Sequence, residues 1–501
     1  MRAPFSTAFW AANCVSIALS KSILFEKGSI ITFNEDTQSV EVKHKHSLLI
    51  TNDRIAAIFD STRNNITIPP NTEVIYAGND IISPGFIDTH RHTWQTVYRG
   101  IGGDSCLGEY LTRWSGNSLA SQTFTPDIMY LSELTGLCEA LDAGVTTLVD
   151  NASGDFTQKI ADANIRAIAD SGIRGFYAFP IRRGLQGYAY EDQISHFHNV
   201  SEQFENDPLL SFGISYEAFE TAEAADLEEL TTLAKTSNIS FLQTHFVGGP
   251  FGAANSPSLL SGLDLLNETF PVLFIHANAI SPADIELLRS HNHYIAMAPV
   301  FETHHGADNS KLFEIQDQAA LSVGTHYASS GDIVSQARLW LQIVRENSFK
   351  GPIQDNEFPV NNPMSTNQAF LLATRAGGLS LRRPDLGVIR VGAKADIAVF
   401  DGSAPGMLGW QNAVTAVILH SNPSNVKHVL VDGDWKKRNG QMYCALNETD
   451  FQSRFLEAAR TVQSFWTRTP GPNLTGTVPG SGAPYVTLDE IDALRGPGNG
   501  Y

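Results

Sequence analysis

The chain is poor in cysteine and in long apolar runs, and each shortage excludes a class of protein. Its 501 residues include four cysteines without a CxxC pair, so the sequence suggests neither a disulfide scaffold nor a thiolate zinc knuckle. No stretch approaches the roughly 20 uninterrupted apolar residues that a membrane span needs. Any metal site must therefore use histidine and carboxylate ligands. The cysteines are Cys14, Cys106, Cys138 and Cys444.

Positive charge is also scarce. The chain has 34 basic and 53 acidic residues, which gives a formal net charge of −19. A field of this sign repels phosphate backbones and anionic lipid surfaces. We therefore expect a small-molecule substrate, and neither a nucleic-acid nor a membrane partner. The apolar fraction of 42% is large enough for a sizeable core, which excludes a disordered or fibrous chain.

The N-terminal 22 residues allow two interpretations. A mostly apolar run over residues 3–18 follows Met1-Arg2 and has the outline of a secretory signal, but Asn13 and the lack of a clear cleavage site weaken that interpretation. Seven N-x-[ST] sequons fit secretion, yet several arise by chance in a chain of this length. We treat residues 1–22 as an N-terminal extension and expect a cytoplasmic protein, with secretion as the alternative.

Residues 83–384 alternate short apolar runs with longer amphipathic stretches, the pattern of repeated βα units. Eight runs within roughly 250 residues match a (β/α)8 barrel in number and size. A doubly wound sheet is the alternative, but its phosphate-binding glycine fingerprint is absent from the sequence. The runs end near His92, Asn151, Ile181, Glu217, His245, His276, Glu302 and His326.

Strand-like segments lie on both sides of the barrel region, in residues 23–82 and 385–446. The first block has too few strands to bury a sheet alone, so we expect both blocks to form one β-sandwich beside the barrel. Residues 447–501 are a C-terminal tail with Pro/Gly-rich parts, expected to be draped on the surface or loose. The predicted fold class is α/β: a (β/α)8 TIM barrel with a flanking β-sandwich built from N- and C-terminal segments.

Histidines cluster at the predicted ends of the barrel strands, where barrel active sites are built. Because side chains alternate along a strand, His90 and His92 share one face, and two such imidazoles can hold one ion. A lone pair of histidines is ordinarily a surface or hydrogen-bonded pair, but His245 and His276 fall at matching ends of two further strands. The strand-end candidates are Asp88, His90, His92, His245, His276 and His326.

The segment SPGFIDTHRHTWQTVYRG (residues 83–100) resembles the first barrel strand of the amidohydrolase superfamily, in its branch of cytosine-, guanine- and S-adenosylhomocysteine-deaminase-like and chlorotriazine-hydrolase-like enzymes. AGVTTLVD (143–150) resembles the second strand, and GVIRVGAKADIAVFD (387–401) and VLVDGDWKKRNG (429–440) resemble the sandwich strands. The resemblance covers about residues 23–440. It implies a metal-bearing barrel with a flanking β-sandwich, and a hydrolase that uses metal-activated water on a C–N bond of a cyclic or aromatic small molecule.

The same resemblance implies a ligand set. His90, His92 and His245 are the implied ligands of one divalent metal, with Zn²⁺ expected first and Fe²⁺ or Mn²⁺ as alternatives. His276 corresponds to the family histidine that ligates a second metal or polarises the substrate. The fourth strand carries Glu217 and no lysine, so the carbamylated-lysine bridge of the dinuclear members is absent and a single metal is implied.

Two positions depart from the family pattern. The proton-shuttling glutamate of the deaminase-like members is replaced by Gly248, and the aspartate that serves as general base after the eighth strand is replaced by His326. The family's usual proton route is therefore in doubt. A histidine at position 326 has a reference pKa of about 6.5, which suits a proton acceptor. We therefore take His276 and His326 as candidate catalytic residues.

Two carboxylates are candidate substitutes for the missing acids. Glu302, placed at the end of the seventh strand, and Asp332, after the eighth, are predicted catalytic residues. Each has an alternative role as a helix N-cap or as a partner that fixes an imidazole tautomer. His304 and His305 are expected in a loop, from which one of them could reach the pocket.

Predicted substrate-binding residues are Trp94, Gln95 and Glu217, although Trp94 is equally plausible as core packing. The first functional hypothesis is the hydrolase. The second is a metal-dependent lyase, isomerase or cyclising enzyme, which the loss of both usual carboxylates favours. The third is a non-catalytic descendant, against which the retained strand-end histidines argue. A homodimer is the expected oligomeric state.

Overall fold

A computed structural model of the protein describes residues 21–62, 66–267, 269–325, 327–444, 449–489 and 491. Within these ranges, no helix combines the length and the apolar character needed to cross a membrane.

The elements alternate between strand and helix through the middle of the chain. The strands are β1 (Ser22–Asn34), β2 (Ser39–Thr51), β3 (Arg54–Asp60), β4 (Glu73–Tyr76), β5 (Ile81–Pro84), β6 (Phe86–Arg91), β7 (Val145–Asn151), β8 (Arg174–Pro180), β9 (Leu210–Ser215), β10 (Leu242–Phe246), β11 (Val272–His276), β12 (Tyr294–Met297), β13 (Ala319–Leu321), β14 (Ile397–Phe400), β15 (Val426–Val431), β16 (Asp434–Arg438) and β17 (Gln441–Met442). The helices are α1 (Leu107–Arg113), α2 (Pro126–Asp142), α3 (Gln158–Ser171), α4 (Tyr190–Gln203), α5 (Ala224–Thr236), α6 (Pro257–Gly262), α7 (Pro282–His291), α8 (Pro299–His304), α9 (Ile333–Gln354), α10 (Thr366–Leu372), α11 (Arg375–Ser380), α12 (Ala413–Thr415) and α13 (Thr449–Arg468).

Strands β6 to β13 form the barrel, as eight parallel strands in sequence order. The last strand meets the first through Gly324, whose N–H donates to His90 O at 2.9 Å and whose carbonyl accepts from His92 N–H at 2.7 Å. These bonds close the cylinder directly beside the HxH pair. The prediction of a (β/α)8 barrel is confirmed.

Local sequence explains where several barrel helices begin. Thr125 caps α2 through Ile128 N–H, and Pro126 occupies the first helical position, where its missing N–H has no cost. Ser281 and Asp284 form a capping box at the start of α7. Helix α3 ends at Gly172 in the left-handed conformation that glycine adopts without strain.

The remaining strands form one nine-stranded sheet beside the barrel, in the order β17-β16-β15-β14-β5-β1-β2-β3, with β4 paired to β1. The N- and C-terminal blocks meet where β5 pairs antiparallel with β14, with Ile82 opposite Val399. Apolar side chains from both blocks, including Phe25, Val388 and Leu430, are buried together. The two blocks therefore combine as expected, while β5 extends to residue 84, beyond the predicted boundary at 82. The domain boundaries themselves stay predictions.

Buried ion pairs join the sheet to the end of the barrel away from the histidines. Arg174, at the start of β8, donates to both carboxylate oxygens of Asp396 at 2.8 and 3.1 Å and to Asp432 at 2.7 Å. Lys394 donates to the same Asp432 at 2.6 Å and to Asp53 at 2.8 Å. Bidentate pairing of this kind fixes the relative geometry of its partners.

The C-terminal tail begins with a packed helix ahead of the Pro/Gly-rich stretch that was expected to be draped on the surface or loose. It contains the 20-residue helix α13, whose Val462 and Trp466 are buried among aromatic residues next to the first barrel strand. A disulfide between Cys138 in α2 and Cys444 joins the residues just before α13 to the barrel. The two cysteines are 306 residues apart, so their pairing depends on tertiary packing that sequence spacing does not reveal.

Candidate metal centre and active-site cavity

Four histidines converge at the carboxyl ends of β6, β10 and β11. The His90 ring lies 4.7 Å from that of His92 and 5.0 Å from that of His245, between centroids. The His276 ring is 5.7 Å from His245 and 6.2 Å from His90. One potential ligand atom from each of His90, His92 and His245 lies within 4.8 Å of the others. This spacing permits one ion to contact all three.

Each of these three imidazoles has its Nδ1 occupied by a protein oxygen. His90 Nδ1 is 3.2 Å from Gln243 Oε1, and His245 Nδ1 is 2.8 Å from Glu217 Oε1. His92 Nδ1 is 3.0 Å from Ser153 Oγ. With Nδ1 as the donor, each Nε2 keeps its lone pair for a metal, which is the usual arrangement of metal-binding histidines.

The buried nitrogen of His90 tests whether these residues fit a metal. Its Nε2 is fully buried and has no hydrogen-bond partner within the described part of the chain. Leaving a buried polar atom unpaired costs about 1–3 kcal/mol, so the position calls for a partner that the protein itself does not supply. A divalent cation fits this requirement and the neutral three-histidine donor set.

The protonation of the site also suits metal binding. Burial lowers the pKa of His92 to about 3, and the neighbouring His245 adds to the effect. Burial, with His92 and His245 nearby, holds the pKa of His90 well below its usual value. Both rings are therefore neutral at pH 7, the form that binds a cation. Burial alone would raise the pKa of Glu217, but its contacts with His245 hold it below the ordinary value, so Glu217 is ionised.

His276 forms a separate pair with Glu302. The Nδ1 of His276 is 3.0 Å from Glu302 Oε1, which also accepts from Ala298 N–H at 2.7 Å. Burial raises the pKa of Glu302 to about 8 and lowers that of His276 to about 3. His276 has a positive φ of 71°, an uncommon conformation outside glycine, at the point where β11 ends.

A cavity of about 910 Å³ opens above the four histidines. Ligand pockets of globular proteins span about 300–1,000 Å³, so this volume accepts a ligand larger than a single heterocycle. Apolar side chains of α1 and of the later loops form much of its wall. The lining residues include Leu107, Tyr110, Leu111, Tyr216, Phe251 and Phe301, together with Glu217, Glu302 and His305.

The predicted site residues around β6 do not all reach this cavity. Trp94 is fully buried in an aromatic cluster and donates its indole N–H to Ser153 Oγ at 3.3 Å. Gln95 is also fully buried and donates to Tyr110 Oη at 3.1 Å. Neither residue lines the cavity. The structure thus places Trp94 in the core, in agreement with its packing alternative. Gln95 contacts the cavity-lining residue Tyr110 but does not itself line the cavity.

The candidates from the later strands have different positions. Glu302 is in the first turn of α8 and not at the end of a strand, because β12 ends at Met297 and Pro299 starts the helix. Asp332 accepts from Val334 N–H at 2.8 Å as the N-cap of α9 and does not line the cavity, which agrees with its capping alternative. His326 lies outside the described residues. His305 lines the cavity, as the alternative for these two histidines allowed, whereas His304 is the last residue of α8 and not a loop residue.

Gly248 has a steric reason to lack a side chain. Its φ is +71°, and a Cβ at this position would lie 2.4 Å from the Cβ of Ala279. The glutamate that the family places there would clash with Ala279 in this backbone.

Gln243 and Ser153, the Nδ1 partners of His90 and His92, were not predicted from the sequence. Gln243 lies two residues before His245 and therefore on the same face of β10, which is a signal that could have identified it. Asn151 is the last residue of β7. It donates to Gln243 Oε1 at 3.1 Å and so orients the amide that accepts from His90. Ser153 follows in the loop and has no comparable sequence signal.

Comparison with known proteins decides the family. Residues 81–436 match the amidohydrolase family. The chain belongs to this family.

Relatives in this family share modest identity over most of their length. The chain is 23% identical over 428 residues to 5-methylthioadenosine/S-adenosylhomocysteine deaminase of Caldicellulosiruptor saccharolyticus, covering 84% of this chain and 94% of the relative. It is 26% identical over 435 residues to 5'-deoxyadenosine deaminase of Methanobrevibacter smithii, covering 83% and 93%. Among solved structures, a zinc-bound adenosine deaminase of Xanthomonas campestris superposes with a TM-score of 0.74 at 18% identity, covering 89% of this chain and 99% of that chain.

The predicted class is confirmed by this membership. The amidohydrolase is a metal-dependent hydrolase that acts on C–N bonds other than peptide bonds, and its histidine cluster supports a divalent metal.

Proposed function

We propose that this amidohydrolase is a zinc-dependent deaminase that hydrolyses the exocyclic C–N bond of an aminopurine nucleoside. The observation that carries the proposal is the convergence of His90, His92 and His245, each fixed through Nδ1, at the base of a cavity large enough for a nucleoside. The names of the deaminase relatives support the substrate class.

The three histidines would hold the ion, and Gln243, Ser153 and Glu217 would keep their rings in place. A divalent ion at such a site supplies activation of water at neutral pH. The ionised Glu217 also offsets positive charge next to His245. Zinc is the proposed metal because a compact set of three imidazoles suits its tetrahedral geometry with one open position.

The His276–Glu302 pair is the proposed proton carrier. At neutral pH the pair holds one proton on the carboxyl group, since the pKa of Glu302 is about 8 and that of His276 about 3. A carboxyl proton passed to Nδ1 releases a proton from Nε2, which can protonate the leaving amine. This route replaces the acid that Gly248 cannot supply. Whether His326 contributes as a base stays a prediction.

The charge on the cavity wall favours a nucleoside over a nucleotide. Besides Glu302, which is protonated at neutral pH, four carboxylates line the wall against two guanidinium groups, and one guanidinium, Arg183, is paired to Asp226 at 2.6 Å. A phosphate would therefore meet net negative charge. The charged lining residues are Glu217, Glu220, Glu223, Asp226, Arg182 and Arg183.

Ammonia release is the direct test. Purified protein should hold about one equivalent of zinc and release ammonia from adenosine, 5'-deoxyadenosine or 5'-methylthioadenosine. His245→Ala should lose both properties, whereas His198→Ala, an exposed histidine on α4, should keep them. A zinc-loaded protein that releases no ammonia from any member of this panel would refute the deaminase proposal.

Two further properties stay predictions. We propose a homodimer, the commonest assembly of soluble enzymes. A cytoplasmic location was expected with secretion as the alternative, and the Cys138–Cys444 pair supports secretion, because disulfides persist in oxidising compartments.

A further inference from the structure

We propose that residues 476–485, here called the strap, close the mouth of the cavity and determine which substrates reach the metal centre. The strap lies beyond residue 436, where the match to the amidohydrolase family ends. Its residues Pro479, Gly480 and Ser481 nevertheless line the same cavity as the four histidines. The inference concerns access to the cavity, and only its statement about substrate size rests on the proposed deaminase function.

Helix α13 fixes the segment that leads into the strap. Its Val462 and Trp466 are buried against the residues that follow the HxH pair, and Gln463 Nε2 donates to Val97 O at 2.9 Å. The Cys138–Cys444 disulfide holds the chain just before the helix. The tail therefore approaches the cavity from a rigid support.

The segment just before the strap (Thr469 to Leu474) and the last strap residue, Tyr485, contact α1, which forms one wall of the cavity. Arg113 donates to Thr469 O at 3.3 Å, and its guanidinium lies over the Trp466 ring at 5.2 Å. Leu474 and Tyr485 approach Gly108 so closely that a Cβ there would lie 3.0 Å from Leu474 and 3.5 Å from Tyr485. Side-chain packing thus anchors the strap at both ends.

Between these ends the strap folds back on itself as a short hairpin. Tyr485 N–H donates to Gly476 O at 3.0 Å, and Val478 N–H donates to Ala483 O at 2.7 Å. At its tip, Ser481 Oγ donates to Pro250 O at 2.8 Å. Pro250 belongs to a short 3-10 turn, Gly249–Phe251, in the loop that follows His245, and this loop also lines the cavity. The strap therefore spans the mouth from α1 to this loop.

The tip is attached far more weakly than the ends. The loop that it contacts contains Gly249 and Gly252, both with positive φ, and a side chain at either position would meet no atom within 4 Å of its Cβ. Such an unpacked loop offers little apolar burial to hold the tip. Opening at the Ser481–Pro250 contact, with the ends fixed on α1, would admit substrate without unfolding the tail.

The decisive experiment measures access without requiring catalysis. The zinc-loaded protein is mixed with dipicolinate, and the rate of zinc loss is followed. A variant in which residues 478–483 are replaced by two glycines should lose zinc at least about tenfold faster than the wild type, because the mouth stays open. Ser481→Ala should lose zinc about three- to tenfold faster, the factor for one neutral hydrogen bond. Ser453→Ala, which removes a serine hydroxyl from the exposed side of α13, is the matched control and should leave the rate unchanged.

A second measurement addresses substrate size. The ratio of kcat/KM for S-adenosylhomocysteine to that for adenosine should rise in the shortened variant, because the strap no longer limits the outer end of the cavity. Unchanged zinc loss in both strap variants would overturn the proposal. If the strap variants lose zinc faster but the zinc-loaded wild type releases no ammonia, the proposal that the strap controls access stands and the deaminase function is refuted. If the shortened variant fails to fold, Ser481→Ala decides the question alone.

Discussion

The two ends of the cavity are built in different ways. At the inner end, strand ends present the histidines, and hydrogen bonds to Nδ1 fix each metal-binding ring. At the outer end, a C-terminal strap crosses the mouth and its tip is held by the Ser481 contact. The inner end therefore has one geometry that suits chemistry, whereas the outer end can open. This chain therefore separates reactivity from access, and variants at each end should affect different measurements.

The largest expected effect is at the inner end, in the His276–Glu302 pair. Glu302→Gln keeps the size of the side chain and removes the titratable carboxyl proton. We expect kcat for ammonia release to fall about 10²- to 10⁴-fold, the contribution of general acid–base catalysis, with zinc content unchanged. In the wild type kcat should fall as the pH rises through about 8, because Glu302 then loses its proton.

Asp332→Asn is the control for Glu302→Gln, since it changes a carboxylate that caps α9. It should leave the pH profile of kcat as in the wild type. An equal loss of kcat in both variants, or a loss of zinc in Glu302→Gln, would contradict a proton role for Glu302 and make it a structural residue.

The second effect concerns the support of the strap. Removing the disulfide with Cys138→Ser and Cys444→Ser together should lower the free energy of unfolding by about 2–4 kcal/mol, the usual contribution of a disulfide. Chemical denaturation measures this loss. Cys106→Ser, which changes an unpaired and exposed cysteine, is the matched control.

The double cysteine variant also distinguishes an effect on catalysis at the inner end from an effect on access at the outer end. Its kcat should stay close to that of the wild type, because neither cysteine lines the cavity or bonds to one of the four histidines. Zinc loss to dipicolinate should become faster. A kcat that falls as steeply as in Glu302→Gln would show that the two ends are not independent.

The inner end was largely predictable from the sequence because its signals are local. Apolar runs located the eight strands, and the alternation of side chains placed His90 and His92 on one face. The sequence pattern placed Glu302 at the end of the seventh strand. In the structure β12 has only four residues, and α8 begins at Pro299 within the same apolar segment. Trp94 was uncertain because a short helical turn, Thr93–Tyr98, directs it into the core.

The outer end was not predictable, because its contacts join distant parts of the chain. The Cys138–Cys444 pair spans 306 residues, and Ser481 meets Pro250 across 231 residues. Residues 447–501 contain neither histidine nor cysteine, so no residue type in the tail points to a metal site. The Pro/Gly-rich composition of this stretch is visible in the sequence, but it does not show that Pro479 and Gly480 line the cavity.

The third effect concerns Glu217, the hydrogen-bond partner of the metal-binding residue His245. Glu217→Gln keeps an oxygen near His245 Nδ1 and removes the negative charge. We expect zinc affinity to fall about 10- to 100-fold, the usual effect of changing a partner of a metal-binding histidine. Competition with a zinc-binding dye measures the affinity. Glu220→Gln, also on the cavity wall, is the control, and equal losses in both variants would indicate a general charge effect instead.

The smallest effect concerns two adjacent glycines between the inner and outer ends. Gly248 and Gly249 both have positive φ, 71° and 59°, so alanine is strained at either position. A Cβ on Gly248 would also meet Ala279 at 2.4 Å, whereas a Cβ on Gly249 meets no atom within 4 Å. Gly248→Ala should therefore reduce the free energy of unfolding by at least about 1 kcal/mol more than Gly249→Ala, because overpacking adds to the shared strain. Equal stability in urea would show that the loop shifts to accept a side chain, and the steric reason for the missing glutamate would then fail.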